Sequence, residues 1–438
     1  MGKWYNYSII NTRTRIGRHC GSAPLPADPC STAQRYAMST TRPTHSQVAA
    51  VTETANRRVQ IGLYTSAVFL YWVGLYLYVP TLPVYVQSKS DDLALVGLVL
   101  SMYGLWQAVV RLPLGIVADW VGRRKPFILV GFGFVTLGAW IMGAADGVAG
   151  LMVGRAITGL AAATWVPLVV VFSGLFPPEE AVRASALLTL VGSVARLLAT
   201  SVTGSLNNLG GYSLAFFLAA VVGVLALFVV LPATDRRHPP RRPSPGALTG
   251  LITRRDVLLP SLLSAVGQYA NWAVTFGFLP ILARQLGASD QLQSLMTSLS
   301  IVVLALGNLA TTTVVKKIGA QRLCYLSFVL LFVGIGLAAL AQSLWVVFVV
   351  QIFIGVGQGV GYPVLMGMSI RHVADHERST AMGLHQAVYA VGMFTGPWIS
   401  GMVAAAWGLP VMFTVTAVGC LVLGVAGAWW LRDESVPA

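Results

Sequence analysis

The chain has 438 residues, 56% of them hydrophobic and only 10% charged, with a mean hydropathy of +0.72. Soluble domains carry about 25% charged residues, so the composition excludes an ordinary soluble protein. The net charge of +14 admits nucleic acid or anionic lipid as partner, and the placement of the basic residues decides between them.

Residues 1–56 are polar, lack the apolar stretch of a signal peptide and read as a disordered cytoplasmic tail. Met38 opens a more ordinary start, so residues 1–37 read as an upstream extension from a mis-set start codon; the alternatives are a genuine tail or a transit peptide. A membrane-spanning helix needs roughly 20 apolar residues. Twelve such segments follow, at about 59–80, 93–118, 126–145, 148–173, 182–206, 212–231, 257–283, 292–315, 321–341, 344–370, 378–404 and 409–431. The break at 232–256, rich in Pro and Arg, reads as a cytoplasmic linker between two six-helix halves, 57–231 and 257–432, with a short tail at 433–438. The expected class is therefore an all-α integral membrane protein.

With residue 57 in the cytoplasm and one crossing per segment, eighteen basic residues beyond the tail fall inside and only Lys89 and Arg284 outside. That is the positive-inside pattern, which places both termini in the cytoplasm. It also accounts for the charge through the lipid bilayer, with no nucleic acid as partner.

The halves repeat. A shift of 197 residues sets Pro83 on Pro280, Asp119 on Lys316, Gly122 on Gly319 and Gly204 on Gly401. A shift of 196 sets Arg155 on Gln351, Gly159 on Gly355 and Pro167 on Pro363.

The loop after the second segment, "GIVADWVGRRKP" (115–126), resembles the signature of the major facilitator superfamily at Gly115, Asp119, Gly122, Arg123, Arg124 and Lys125. It departs at Trp120, where the family usually has Arg or Lys. "VGRAITG" resembles the family's fourth-helix motif at Arg155 and Gly159. The resemblance covers about residues 57–432 and implies two pseudo-symmetric halves enclosing a site at mid-membrane. It implies that the six loop residues act as a conformational latch between the halves; a turn that only sets topology is the alternative. The second copy, "VVKKIGAQR" (314–322), has lost the acid. The G-P-x-x-G-G motif of drug antiporters is replaced in the fifth segment by "ATSVTG" (199–204).

All fifteen acidic residues fall in loops, the tail or helix ends, so no buried carboxylate offers itself as a proton carrier. The candidate proton sites are His385, which has a plain packing role as its alternative, and Asp146 at the outer mouth of segments three and four. Three arginines lie within spans. Arg111 is near an inner end, where it can snorkel. Arg155 and Arg196 lie deeper, roughly 10 and 15 Å from the outer ends of their helices. A centred Arg costs about 2.5–3.5 kcal/mol on insertion scales and needs a carbonyl, water or anionic partner. Both are candidate substrate ligands, with a framework role for Arg155 as the alternative.

The resemblance implies that segments 1, 4, 7 and 10 line the cavity. Tyr64, Tyr71 and Tyr78 share one face of the first, Gln268, Asn271 and Thr275 one face of the seventh, and Gln351, Gly355, Gln358 and Tyr362 one face of the tenth. Polar residues within a span face the bundle interior. The expected cavity residues are thus Tyr71, Arg155, Arg196, Gln268, Asn271, Gln351, Gln358 and Tyr362; for the tyrosines, helix packing or an interfacial position is the alternative. No metal or disulfide spacing links the four cysteines, and no nucleophile–base pair or phosphate loop is visible, so neither cofactor nor enzyme activity is expected.

The expectation is a secondary transporter of a small organic molecule in the cell (plasma) membrane, working by alternating access and exporting in exchange for protons. One alternative is uptake or exchange of an organic anion bound by Arg155 and Arg196. Another is a non-transporting membrane receptor. A monomer suffices, because both halves lie in one chain.

Overall fold

The computed structural model describes residues 45–177, 180–235, 250–374 and 377–431. Residues 1–44, 236–249 and 432–438 lie outside them, and with them most of the tail, the start at Met38 and the centre of the linker. Residues 54–438 form one compact unit, which is the subject below. Among the described residues there is no strand.

The first crossing is α1 (His45–Tyr76). It begins inside the segment expected to be disordered, because the alanine-rich stretch 49–55 carries good helix formers. There follow α2 (Leu93–Val121), α3 (Lys125–Gly143) and α4 (Val148–Ala163, resumed as Trp165–Ser173). The run Ala181–Val230 holds two crossings, α5 (181–209) and α6 (212–230), hinged at Gly210 and at Gly211, whose φ of 70° suits glycine. The chain doubles back there. Arg57 of α1 reaches Glu180, while Gln60 and Tyr64 of the same helix bond Thr234 beyond the other end.

The second half repeats this plan. It comprises α7 (Arg255–Ala273, continued by a π turn at Val274–Phe278 and by Leu279–Gln285), α8 (Asp290–Ile318), α9 (Ala320–Ala339) and α10 (Leu344–Ile370). Arg378–Trp430 again holds two crossings, α11 (378–407) and α12 (409–430), hinged at Gly408 with φ 82°. Nine of the described helices are long and apolar enough to cross a membrane, and two of those nine are these hinged pairs.

The interruptions in α1, α4 and α7 have one cause. Proline lacks an N–H, and its ring crowds the carbonyl four residues back. Pro80 stands four after Tyr76, where α1 stops; Pro167 follows the break at Thr164; Pro280 follows the π turn of α7. In α10 the helix continues through Pro363, and the Gly359 carbonyl it strands accepts a bond from Thr311 of α8 (3.3 Å).

The halves meet along two seams that obey the sequence repeat. In one, a Cβ on Gly204 of α5 would strike Asp290 and Gln291 of α8, and the Gly204 amide donates to Ser294 (2.7 Å). In the other, a Cβ on Gly401 of α11 would strike Leu93 and Gly97 of α2. Shifting 204, 290 and 294 by 197 relates them to 401, 93 and 97. Small residues at crossings let membrane helices pack backbone to backbone, where the hydrophobic effect offers little between them.

Candidate substrate cavity

The basic residues Arg57, Arg124, Lys125, Arg254 and Lys316 define one end of the bundle, and the seams close the other, here called the far end. There Asp290 gathers groups from three helices. Asn207 donates to it (2.9 Å) and also to Thr81 (2.9 Å), Tyr212 donates at 3.5 Å, and Arg284 pairs with it at 3.2 Å. About two turns inward Thr200 bonds Ser298 across the seam (2.8 Å). The α2–α11 seam is sealed by Gly97 and Gly104 against Pro397 and Met393.

At mid-span, aromatic rings bridge the halves. Trp72 meets Tyr71, Tyr76 and Trp165 at 5.1–5.6 Å, and Tyr71 stacks on Trp165 at 6.1 Å. Tyr76 reaches Phe276 of the second half (6.2 Å), where Tyr362, His385 and Tyr389 form a second group of rings. Trp72, Trp165, Phe276, Tyr362 and Tyr389 are only half-buried.

The three arginines have different surroundings. Arg155 is 2% exposed, with its guanidinium over Tyr103 (4.2 Å), which in turn stacks on Trp272 of the second half (5.1 Å). A desolvated cation–π contact contributes about 2 kcal/mol, comparable to the cost of burying the charge; Nε and Nη1 have no hydrogen-bond partner. Arg196 is half-buried, lies over Trp72 (4.8 Å) and Tyr76 (5.7 Å), and bonds only within its own helix, to Gly192 (3.0 Å) and Ser193 (3.5 Å). Arg111 does not snorkel to the basic end as expected. It is 4% exposed and bridges the halves by donating to the Tyr389 hydroxyl (2.6 Å), with Gln107 (2.7 Å) and the Ala162 carbonyl (3.5 Å) as its other partners. The Tyr389 hydroxyl and the Gln107 amide oxygen, its two short acceptors, hold it inside.

From Arg111 a crevice runs to the basic end. It encloses about 540 Å³ of empty space, open solvent included, lined by Gly115, Asp119, Arg124 and Pro167 on one side and by Thr380 and Gly383 of α11 on the other. Asp119 pairs with Arg124 (2.5 Å). Asp235, just past α6, accepts from the amides of Arg124 and Lys125 (2.8 and 2.9 Å), an anion at the N-terminus of α3. Lys125 Nζ donates to the carbonyls of Leu231 and Ala233, just past α6 (both 2.7 Å). Gly122 ends α2, and Arg123 points to solvent. In the second half Arg254 grips Asp256 (2.6 Å), holding that carboxyl below its ordinary range.

The sequence model of the Major Facilitator Superfamily matches residues 64–267 and 261–438. The chain belongs to this superfamily. It is a multi-pass membrane transporter of that class, and not an enzyme. An uncharacterised MFS-type transporter of Methanocaldococcus jannaschii is 20% identical over 85% of this chain and 100% of its own length. The class C tetracycline resistance protein of Escherichia coli is 26% identical, and the quinolone resistance protein NorA of Staphylococcus aureus 22%, each over 76% of this chain and 87% of theirs. Among solved structures, a bacterial homologue of the human lysosomal transporter Spinster superposes with a TM-score of 0.72 at 16% identity, over 87% of this chain and 99% of that one.

Within this MFS fold the expected cavity residues separate. Tyr362 faces the aromatic cluster, and Gln268 is half-buried on α7 beside the buried Asn271. Gln358 is tied to the Gly267 carbonyl (2.6 Å), joining α10 to α7. Gln351 is fully buried with neither end of its amide partnered. Tyr71 contributes a ring, but its hydroxyl is spent on the carbonyls of Ala161 and Ala162 (3.2 and 3.1 Å). Tyr64 and Tyr78 pack inside the first half. His385 is buried between α7 and α11, with Nδ1 3.0 Å from Ser261 and Nε2 unpartnered. Asp146 is exposed in the α3–α4 loop, away from these walls. Trp72, Tyr76, Trp165, Phe276 and Tyr389 escaped the sequence reading. Their one signal was aromatic residues at mid-span, far from the interfacial belt. Among the described residues no His/Cys/Asp/Glu cluster can hold a metal ion.

Proposed function

We propose that this MFS transporter exports a small, flat organic molecule by alternating access between its halves, in exchange for protons. The observation that carries the reading is the aromatic cluster at mid-span between the halves, sealed toward the far end and met at Arg111 by the crevice from the basic end. The charge pattern supports a cytoplasmic basic end, with both described chain ends on that side and the plasma membrane as location. Substrate then enters from the cytoplasm. The two resistance proteins among the relatives support export. In this reading Tyr71, Gln268, Asn271 and Tyr362 flank the substrate with the newly found rings. Asp119, Arg124 and Asp235 are the latch that re-forms against the second half when the crevice closes. His385 is the proton site, since among the described residues no Asp or Glu lies mid-span.

The test is transport in proteoliposomes with a fluorescent aromatic dye and an imposed pH gradient. Dye movement that needs the gradient is expected, with Trp165→Ala raising KM about tenfold through the lost ring contact. No gradient-dependent movement of any dye, neutral or charged, overturns the reading.

A further inference from the structure

Arg111, Arg155 and Arg196 place three positive charges inside the spans, and among the described residues no carboxylate lies there to balance them. Arg155 is sealed by rings and unreachable. The other two converge on one place. Arg196 of α5 lies over Trp72 (4.8 Å), which meets Tyr71 at 5.3 Å, and the Tyr71 hydroxyl and Arg111 of α2 share the Ala162 carbonyl (3.1 and 3.5 Å), so both arginines flank the same pair of rings. Every described hydrogen-bond acceptor of these two arginines is neutral: a phenol, an amide oxygen, backbone carbonyls and a hydroxyl. Neither set is complete. Arg111 Nε is buried without a partner, and Arg196 is half-exposed beside Trp72. A buried and a half-buried cation that flank the same rings and lack a counter-ion attract an anion and repel a cation.

We propose that Arg111 and Arg196 form a two-cation subsite for the acidic group of an organic anion, whose flat body packs on Trp72 and Trp165. This rests on the reading of the aromatic cluster as the substrate cavity and names the class of molecule that enters it. The two parts suit each other. A planar guanidinium accepts a carboxylate or sulfonate through paired N–H donors, and it stays rigid while its face lies on an indole. Arg111 also holds the halves together through Tyr389, so an anion that draws it from that hydroxyl loosens a contact that spans the seam.

The experiment is ligand binding to the purified full-length protein in detergent, read by quenching of tryptophan fluorescence and by thermal stabilisation. The probes are 2-naphthoate, its neutral amide 2-naphthamide, and sodium sulfate at matched ionic strength. Naphthoate is expected to bind roughly tenfold to hundredfold more tightly than the amide, as a charge-assisted contact requires. Arg196→Gln removes that preference and Arg196→Lys restores part of it, whereas Lys89→Gln, which deletes the same charge in an exposed loop, leaves it intact. Sulfate matching naphthoate overturns the aromatic-anion class and marks a site for any anion, a lipid headgroup included. Equal binding of acid and amide, no binding of naphthoate, or an intact preference in Arg196→Gln overturns the subsite. The two readings fail separately. A protein that moves neutral dyes yet ignores the naphthoate charge keeps export and loses the subsite. One that binds naphthoate through Arg196 and moves nothing keeps the subsite and loses export.

Discussion

The two ends of the inter-half seam are built from different materials. At the far end backbone meets backbone at Gly97, Gly104, Gly204 and Gly401, and the polar contacts run between halves: Asn207 and Tyr212 to Asp290, Thr200 to Ser298. At the basic end the polar contacts seen among the described residues lie within a half. Asp119 pairs with Arg124, Asp235 and Lys125 tie α3 to α6, and Arg254 grips Asp256. Close glycine packing resists any intrusion, while exposed ion pairs exchange partners at little cost. The difference identifies which contacts an alternating-access cycle must break and which it must re-form.

The largest effect is expected from breaking the far end. In Gly97→Val the new side chain meets the Pro397 carbonyl and Gly401 across the seam. Overpacking of this kind costs about 1–3 kcal/mol, and here it also favours separation of the halves at the far end. Lower melting temperature and faster hydrogen exchange at the outer turns of α2 and α11 are the readouts. Gly204→Val should do the same at α5 and α8, because the repeat makes the two seams counterparts. An effect at only one site would show the seams to be unequal.

Next is Asp290→Ala. It strands the donors of Tyr212 and Arg284 and one of the two bonds of Asn207. A cost of about 1–2 kcal/mol is expected, with exchange rising at the start of α8 and not at the basic end. Asp235→Asn at the opposite end removes a charge from the N-terminus of α3, for about 1 kcal/mol, and should loosen the α3–α6 contact alone. Asp119→Asn should cost less than 1 kcal/mol in stability, because that carboxylate is 44% exposed, yet it should slow transport if the latch re-forms against the second half. A stability loss at Asp119 as large as that at Asp235 would assign Asp119 a structural role in the state described here.

Much of this architecture was legible in the sequence. Twelve apolar segments and the duplication anticipated the helices and their two sets of six, because helix length is local, and the prolines at 80, 167 and 280 stand where three of the helices break. The alignment of Gly204 with Gly401 was legible, but not that the pair marks the seams between the halves. The cavity was less legible, because which face of a buried helix looks into a chamber is decided by its neighbours. The tyrosines at 64, 71 and 78 share a face, but it is the face α1 turns to its own half, while Trp72 and Tyr76 carry Arg196 and Tyr76 reaches Phe276 of the second half. Arg111 was misjudged for the same reason. Depth along α2 allowed snorkelling, but the hydroxyl of Tyr389, on a helix 278 residues away in sequence, keeps the guanidinium in.

The smallest predicted effect tests how far the repeat extends at the basic end. Lys125 caps α6 through the carbonyls of Leu231 and Ala233, and Gln321 caps α12 through those of Ala428 (2.9 Å) and Leu431 (2.7 Å). Each side chain starts the odd-numbered helix of a pair and closes the last turn of its half. The geometry is shared, but the charge survives only in the first half, beside Asp235 and Asp119. A neutral amide on two carbonyls contributes about 0.5–1.5 kcal/mol per bond, and an ammonium contributes more. Gln321→Ala should therefore lower stability less than Lys125→Ala, and Gln321→Lys should raise it slightly through the helix-end dipole. Melting curves of the three variants decide it. If Gln321→Ala costs as much as Lys125→Ala, the two caps are energetic equals, and the acids around Lys125 serve motion more than stability.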